Sequence, residues 1–169
     1  MNADGTGETQ LALPTSVGSV EAPAWSPNGT KLAFDAFGVG IYAVNADGSG
    51  LKQTTDLDPS TLTDDRSPSW SPGGSKIAFS QGVGVTSNYQ IVAVNSNGTG
   101  SQIDLSNNGF NDQGPAWSPG ETKIAFVRTD PSTQKESDLH DARPATPPAS
   151  TEKGGDGIAK QCWNCHPCR

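Results

Sequence analysis

At 169 residues, with 20 Gly, 13 Pro and a hydrophobic fraction of 32%, the chain is long enough for one domain with a core. Its composition suits many short strands joined by turns better than a helical bundle. A formal net charge of -7 argues against binding nucleic acid or an anionic membrane, because neither polyanion attracts an acidic surface. No stretch reaches the ~18 apolar residues of a membrane span, and the N-terminus lacks a basic start followed by an apolar core, so neither membrane insertion nor an export signal is read from it.

The chain opens on a turn, Met1-Asn2-Ala3-Asp4-Gly5-Thr6-Gly7, whose pattern returns at Val44 to Gly50 and at Val94 to Gly100. Asn/Asp-Gly pairs of this kind make tight hairpins. Their alternating oxygens, as in Asn45, Asp47 and Ser49, resemble a calcium loop only weakly, since the distal Glu of such a loop is missing. Pro23-Ala-Trp-Ser-Pro-Asn-Gly-Thr-Lys-Leu-Ala-Phe34 follows. It recurs from Pro68 to Phe79 and from Pro115 to Phe126, with Trp and Phe nine residues apart each time. The Trp residues themselves lie 45 and 47 residues apart, a period that belongs to stacked supersecondary units.

Each unit reads as four strands. Pro-x-Trp-Ser-Pro is a short strand stopped by its second Pro, which offers no amide to a ladder. Asn28-Gly29 and Gly73-Gly74 then supply residues tolerant of positive φ for a turn, whereas Gly120-Glu121 points to a looser third turn. Lys-Leu/Ile-Ala-Phe is an alternating second strand with Leu32 and Phe34 on one face. After a loop of six residues in one copy and eleven in the next, a third strand runs over Ile41–Asn45 and Ile91–Asn95. Polar outer strands are expected near Lys52 to Thr55 and Gln102 to Leu105. Aromatics that recur once per repeat, Trp25, Trp70, Trp117, Phe34, Phe79 and Phe126, are expected to pack between neighbouring units rather than to form a ligand platform.

The words Trp-Ser-Pro, Lys-Ile-Ala-Phe and Asn-Ala-Asp-Gly-Ser-Gly together resemble the TolB-type β-propeller repeat, a WD-like repeat, over residues 1–129. The resemblance implies an all-β fold of four-stranded antiparallel blades. About three are present, two complete and two partial, in an incomplete or open propeller, because a closed ring takes about four to eight. A repeat broken at both ends leads us to expect a piece of a longer propeller, with an open fan or an oligomeric ring as the alternatives. The best-known member of the family is a periplasmic protein-binding component of an envelope complex, so the resemblance implies an extracytoplasmic location.

Residues 130–169 break the pattern with five Pro and neither Phe nor Tyr, and we read them as a disordered tail. All three cysteines lie there. Cys162-Trp-Asn-Cys165-His166 has the spacing that attaches c-type haem, and Cys168 adds a second Cys-x-x-Cys that would suit zinc equally well. Neither motif has the surroundings that such a site needs, so no cofactor and no metal are expected. The sequence has no Gly-x-Ser-x-Gly elbow, and both histidines, His140 and His166, fall in the tail. The expectation is a non-catalytic scaffold that binds a protein partner or its own blade faces. The alternative is the propeller part of an enzyme, either a hydrolase without its catalytic domain or a haem protein cut after His166.

Overall fold

A computed structural model describes residues 1, 3–55, 64–83, 88–130, 132, 133 and 136–142. Its eleven strands form three antiparallel sheets. The first contains β1 (Val20–Trp25), β2 (Lys31–Ala36), β3 (Gly40–Asn45) and β4 (Lys52–Gln53) in chain order. The second repeats this with β5 (Asp65–Trp70), β6 (Lys76–Val83), β7 (Asn88–Asn95) and β8 (Ile103–Asp104), and the third has β9 (Asn111–Trp117), β10 (Ile124–Thr129) and β11 (Glu136–Ala142). A single 3-10 turn, Thr15–Val17, precedes β1.

The repeated words have identifiable physical roles. In each unit the Ser of Trp-Ser-Pro closes the first hairpin. Its amide donates to the carbonyl of Lys31, Lys76 or Lys123 at 2.9, 2.9 and 2.8 Å, and its hydroxyl accepts the amide of the same Lys at 2.9, 3.2 and 3.0 Å. The turn between them needs a left-handed residue. Gly29 and Gly74 supply it at φ 68 and 72, and Glu121 takes the same place at φ 56. The third turn is therefore not looser: the Glu121 amide reaches Ser118 at 3.0 Å as Gly29 reaches Ser26 at 2.9 Å, and the Glu121 carboxylate also accepts the amide of Gly73 in the neighbouring sheet.

Each first strand also carries a bulge three residues before its Trp. The ladder shifts register there, and Ala22, Ser67 and Gly114 hold φ of 44, 54 and 64. This extra residue twists the strand, and at Ser67 and Gly114 it aims the amide sideways at the preceding sheet.

The sheets pack face to face like blades, with β5 laid on β1 and β2, and β9 on β5, β6 and β7. Between the first two, Ala33, Ile41 and Ala43 meet Trp70, Ile77, Phe79, Val92 and Val94. Between the second and third, Ala78 and Ile91 meet Ile124 and Phe126. The second sheet is flanked on both sides while the first and third are not joined to each other, so the array is open. A third cluster of Val17, Phe34, Ala36 and Val44 lies on the outer face of the first blade, under the segment that contains Leu13.

One boundary differs from the sequence reading. The third blade does not stop at residue 129, because β11 pairs with β10 from Thr129↔Glu136 to Ile124↔Ala142. Ladder bonds join backbones, so Glu136-Ser-Asp-Leu-His-Asp-Ala142 can form a strand without the apolar alternation of Ile41–Asn45. The remainder of the expected tail, 143–169, lies outside the described residues.

Candidate functional site

The six repeat aromatics do not share one environment. Phe34, Phe79 and Phe126 are buried. Trp70 is 8% exposed, and its indole Nε1 donates to the Ala24 carbonyl at 3.1 Å across the first blade junction. Trp117 is half-buried against the Ala78 and Ile91 cluster, with a buried Nε1 that has no hydrogen-bond partner among the described residues. Trp25 is 59% exposed. Its two counterparts each lie on the sheet before their own; among the described residues no sheet covers Trp25 in that way.

Two positions that the sequence reading passed over organise the junctions. Five residues before Trp70 and Trp117 stand Asp65 and Asp112, which are 1% and 0% exposed. Each faces a residue of the next strand in register: Asp65↔Gln81 and Asp112↔Arg128, where the first blade has Val20↔Ala36. Asp112 accepts from Arg128 Nε at 2.7 Å and Nη2 at 2.9 Å, and from Asn108 Nδ2 at 2.8 Å. Burial pushes its carboxyl up, but the hydrogen bonds from Arg128, Asn108 and Ser106 and the charge of Arg128 outweigh this and hold it below the usual carboxylate range.

Asp65 Oδ1 accepts from Gln81 Nε2 at 3.2 Å, while among the described residues Oδ2 is buried without a hydrogen bond. Burial raises its carboxyl to about 6, and the nearby side chains of Thr55 and Gln81 reverse only part of that shift. A carboxyl titrating near neutrality invites a general acid–base reading. Its near-complete burial opposes this, because its oxygens are closed off from solvent. The signal for both positions is in the sequence: Asp-x-x-Pro-x-Trp-Ser-Pro occurs at Asp65 and at Asp112.

Polar groups at the hairpin turns are likewise turned inward. Asp47 Oδ1 accepts the Ser49 amide and hydroxyl at 2.9 and 2.7 Å, and Asn97 does the same for Thr99 at 3.0 and 2.7 Å. Asn45 Oδ1 accepts from Lys31 Nζ at 2.6 Å. These oxygens serve their own turns, and no group of three or more metal-ligating side chains occurs among the described residues. Cys162, Cys165, His166 and Cys168 lie outside the described residues.

The surface is most distinctive at the end where the first strands begin. Val20, Phe37, Phe110 and Val127 are all exposed there. The Arg66 guanidinium lies 5.7 Å from the ring centres of both Phe37 and Tyr89 and bonds Asp64 at 2.6 Å; Tyr89 also donates to Asp64, at 2.9 Å. Arg128 lies 5.0 Å from the Phe110 ring and 5.3 Å from that of Phe126. Cation–π contacts thus hold one exposed aromatic at each junction.

Three blades of sequential antiparallel strands, each laid on the one before, define a β-propeller. The solved structures that it is similar to agree. A structure assigned as TolB from Agrobacterium tumefaciens is 24% identical, with TM-score 0.57, over 66% of this chain and 39% of that one. TolB from Acinetobacter baumannii is 18% identical, with TM-score 0.51, over 74% and 32%. A nidogen/laminin complex structure matches at 14% identity and TM-score 0.50, over 80% and 68%. The chain has the TolB-like propeller fold and spans about a third of the length of these TolB chains. Neither the protein-family models nor the curated proteins include a match. Among the described residues no helix is long and apolar enough to cross a membrane.

Proposed function

We propose that the chain is a non-catalytic protein-binding scaffold of TolB-like blades. The observation that carries this is the concentration of exposed Phe37, Phe110, Val20 and Val127 beside Arg66 and Arg128 at one end of the blades. Exposed aromatics and arginines held by rigid strands are what protein interfaces use as anchors. Three carboxyls with shifted ionisation, Asp35, Asp65 and Asp112, are buried at blade junctions, where structural work is their simplest role. A structural neighbour, the nidogen/laminin complex, is itself a protein assembly. The resemblance to the TolB repeat points to an extracytoplasmic setting for such binding.

A photoreactive residue at Phe37, compared with one at exposed Ser101, tests this. The scaffold reading expects protein adducts at position 37 that disappear with Phe110→Ser and are absent at 101. Adducts equal at both positions, or turnover of ester, peptide or glycoside substrates by the purified chain, would sink it.

A further inference from the structure

The face of the first blade that meets the second is apolar at its centre and cationic at one rim. Side chains alternate across a strand, so the pairings Lys31↔Asn45, Ala33↔Ala43 and Ala43↔Lys52 put Lys31, Asn45 and Lys52 on the same face as Ala33 and Ala43. The two alanines are buried under the second blade. At the rim, Lys31, Ala43, Gly50 and Lys52 of the first blade line a pocket of about 240 Å³ together with Ser96 and Asn97, from the hairpin turn of the second.

Both ammonium groups are held in place but neither is neutralised. Lys31 Nζ donates to Asn45 Oδ1 at 2.6 Å, and Lys52 Nζ donates to the Asn97 carbonyl at 2.6 Å. An ammonium carries three donors, so each keeps two more. Neither lysine takes part in an ion pair among the described residues, unlike Arg66 and Arg128, which bond Asp64 and Asp112. The carboxyl of Asp47 is held low first by hydrogen bonds from Ser49 and only last by the charge of Lys31. Asn97 adds a donor, because its Oδ1 accepts from Thr99 and its Nδ2 is left over. The Ser96 hydroxyl is already spent on the Gly74 carbonyl, at 2.8 Å.

Comparison between repeats separates the frame from the site. In the second blade Lys76 Nζ donates to Asn95 Oδ1 at 3.3 Å, as Lys31 does to Asn45, so that lysine belongs to the frame. Opposite Ala93, however, stands Ile103 where Lys52 stands opposite Ala43. A blade therefore forms without the second cation.

We propose that this pocket binds a phosphate group, presented either by the free ion or by a small phosphomonoester. Two ammonium groups and an amide from separate strands suit an anion that accepts in several directions and carries close to two charges, and lysine is a common phosphate ligand. The chain as a whole has a net charge of -7, so the pocket is a local exception in a field that repels anions. It lies where β2 begins, whereas Phe37 follows the other end of that strand, and the proposal is independent of the protein-binding reading.

Amide NMR of the full chain at fixed ionic strength, titrated with inorganic phosphate and separately with glycerol phosphate, tests it. Saturable shifts are expected at Gly50, Ser96 and Asn97. Lys52→Ile, which copies the second blade, should keep the spectrum of a folded chain and weaken binding about tenfold or more. Lys52→Arg, which keeps the charge, should stay within about threefold, and Lys123→Ala, which removes the same charge from the third blade, should leave binding unchanged. Tighter binding of glycerol phosphate would assign the site to a phosphomonoester, and tighter binding of inorganic phosphate to the free ion. Absence of saturable shifts with both probes, or binding that survives Lys52→Ile undiminished, would overturn the site.

Discussion

The Asp35 carboxylate accepts a hydrogen bond from the Ser67 amide at 3.2 Å, joining the second strand of one blade to the bulge of the next. The Ser80 hydroxyl does the same for the Gly114 amide at 3.0 Å. In the third blade the corresponding residue is Val127, which offers no acceptor. This clasp satisfies an amide that the bulge has removed from its own ladder. Asp35→Ala should therefore cost about 1–3 kcal/mol, since it strands a part-buried donor, whereas Asp35→Asn keeps an acceptor and should stay within about 0.5 kcal/mol. Urea denaturation of both variants checks this. Equal losses would show that the charge of Asp35 matters and the acceptor does not.

Burial separates the repeat tryptophans energetically. Trp70→Ala removes a packed indole between two blades and should cost about 3–5 kcal/mol. Trp25→Ala, at an exposed position, should change stability by less than about 0.5 kcal/mol. Equilibrium unfolding monitored by circular dichroism distinguishes the two, and similar losses would mean that Trp25 is covered in solution.

The two buried aspartates give opposite pH dependences. Asp65 is raised to about 6 from 3.8, so the folded state holds its proton where the unfolded chain has lost it. Stability from this group is full below about 4 and falls as pH rises through about 6, by on the order of 3 kcal/mol. Asp112 is lowered, so its contribution is present above 3.8 and lost as pH falls below that. Stability from this pair should be greatest near pH 4 and decline from there to about pH 6. Asp65→Asn should raise stability at pH 8 and flatten the neutral side of the profile. A thermal midpoint rising steadily from pH 5 to 8 in the parent would contradict this.

Ending the chain after Thr129 removes β11, the outer partner of β10. We expect a lower unfolding midpoint and lost strand signal rather than a neutral deletion, because β10 then keeps a single neighbour. Unchanged ellipticity per residue and an unchanged midpoint would show that β11 contributes nothing to the blade.

The repeat was legible because its signals are local. A Trp-Ser-Pro stop, a Gly turn and an alternating Lys-Ile-Ala-Phe strand depend on neighbours a few residues away, and strands one to four of the first two blades lie where that pattern puts them. Glu121 was harder to read, since a left-handed Glu is adopted only where the surrounding hairpin imposes it. β11 was hidden for a related reason: its residues lack alternation, and only the waiting edge of β10 makes them a strand.

The amino-acid sequence alone determined the strand order, the hairpin turns and the once-per-repeat aromatics, all of which follow from short-range sterics and periodicity. Tertiary structure decided which copies are covered. Trp70 and Trp25 share the same local word, yet one is 8% exposed and the other 59%. Asp65 and Asp112 share theirs, yet one is raised and the other lowered. Burial and ionisation depend on what a neighbouring blade or strand places against a side chain, Ala24 over Trp70 or Arg128 against Asp112, and no local pattern encodes those contacts.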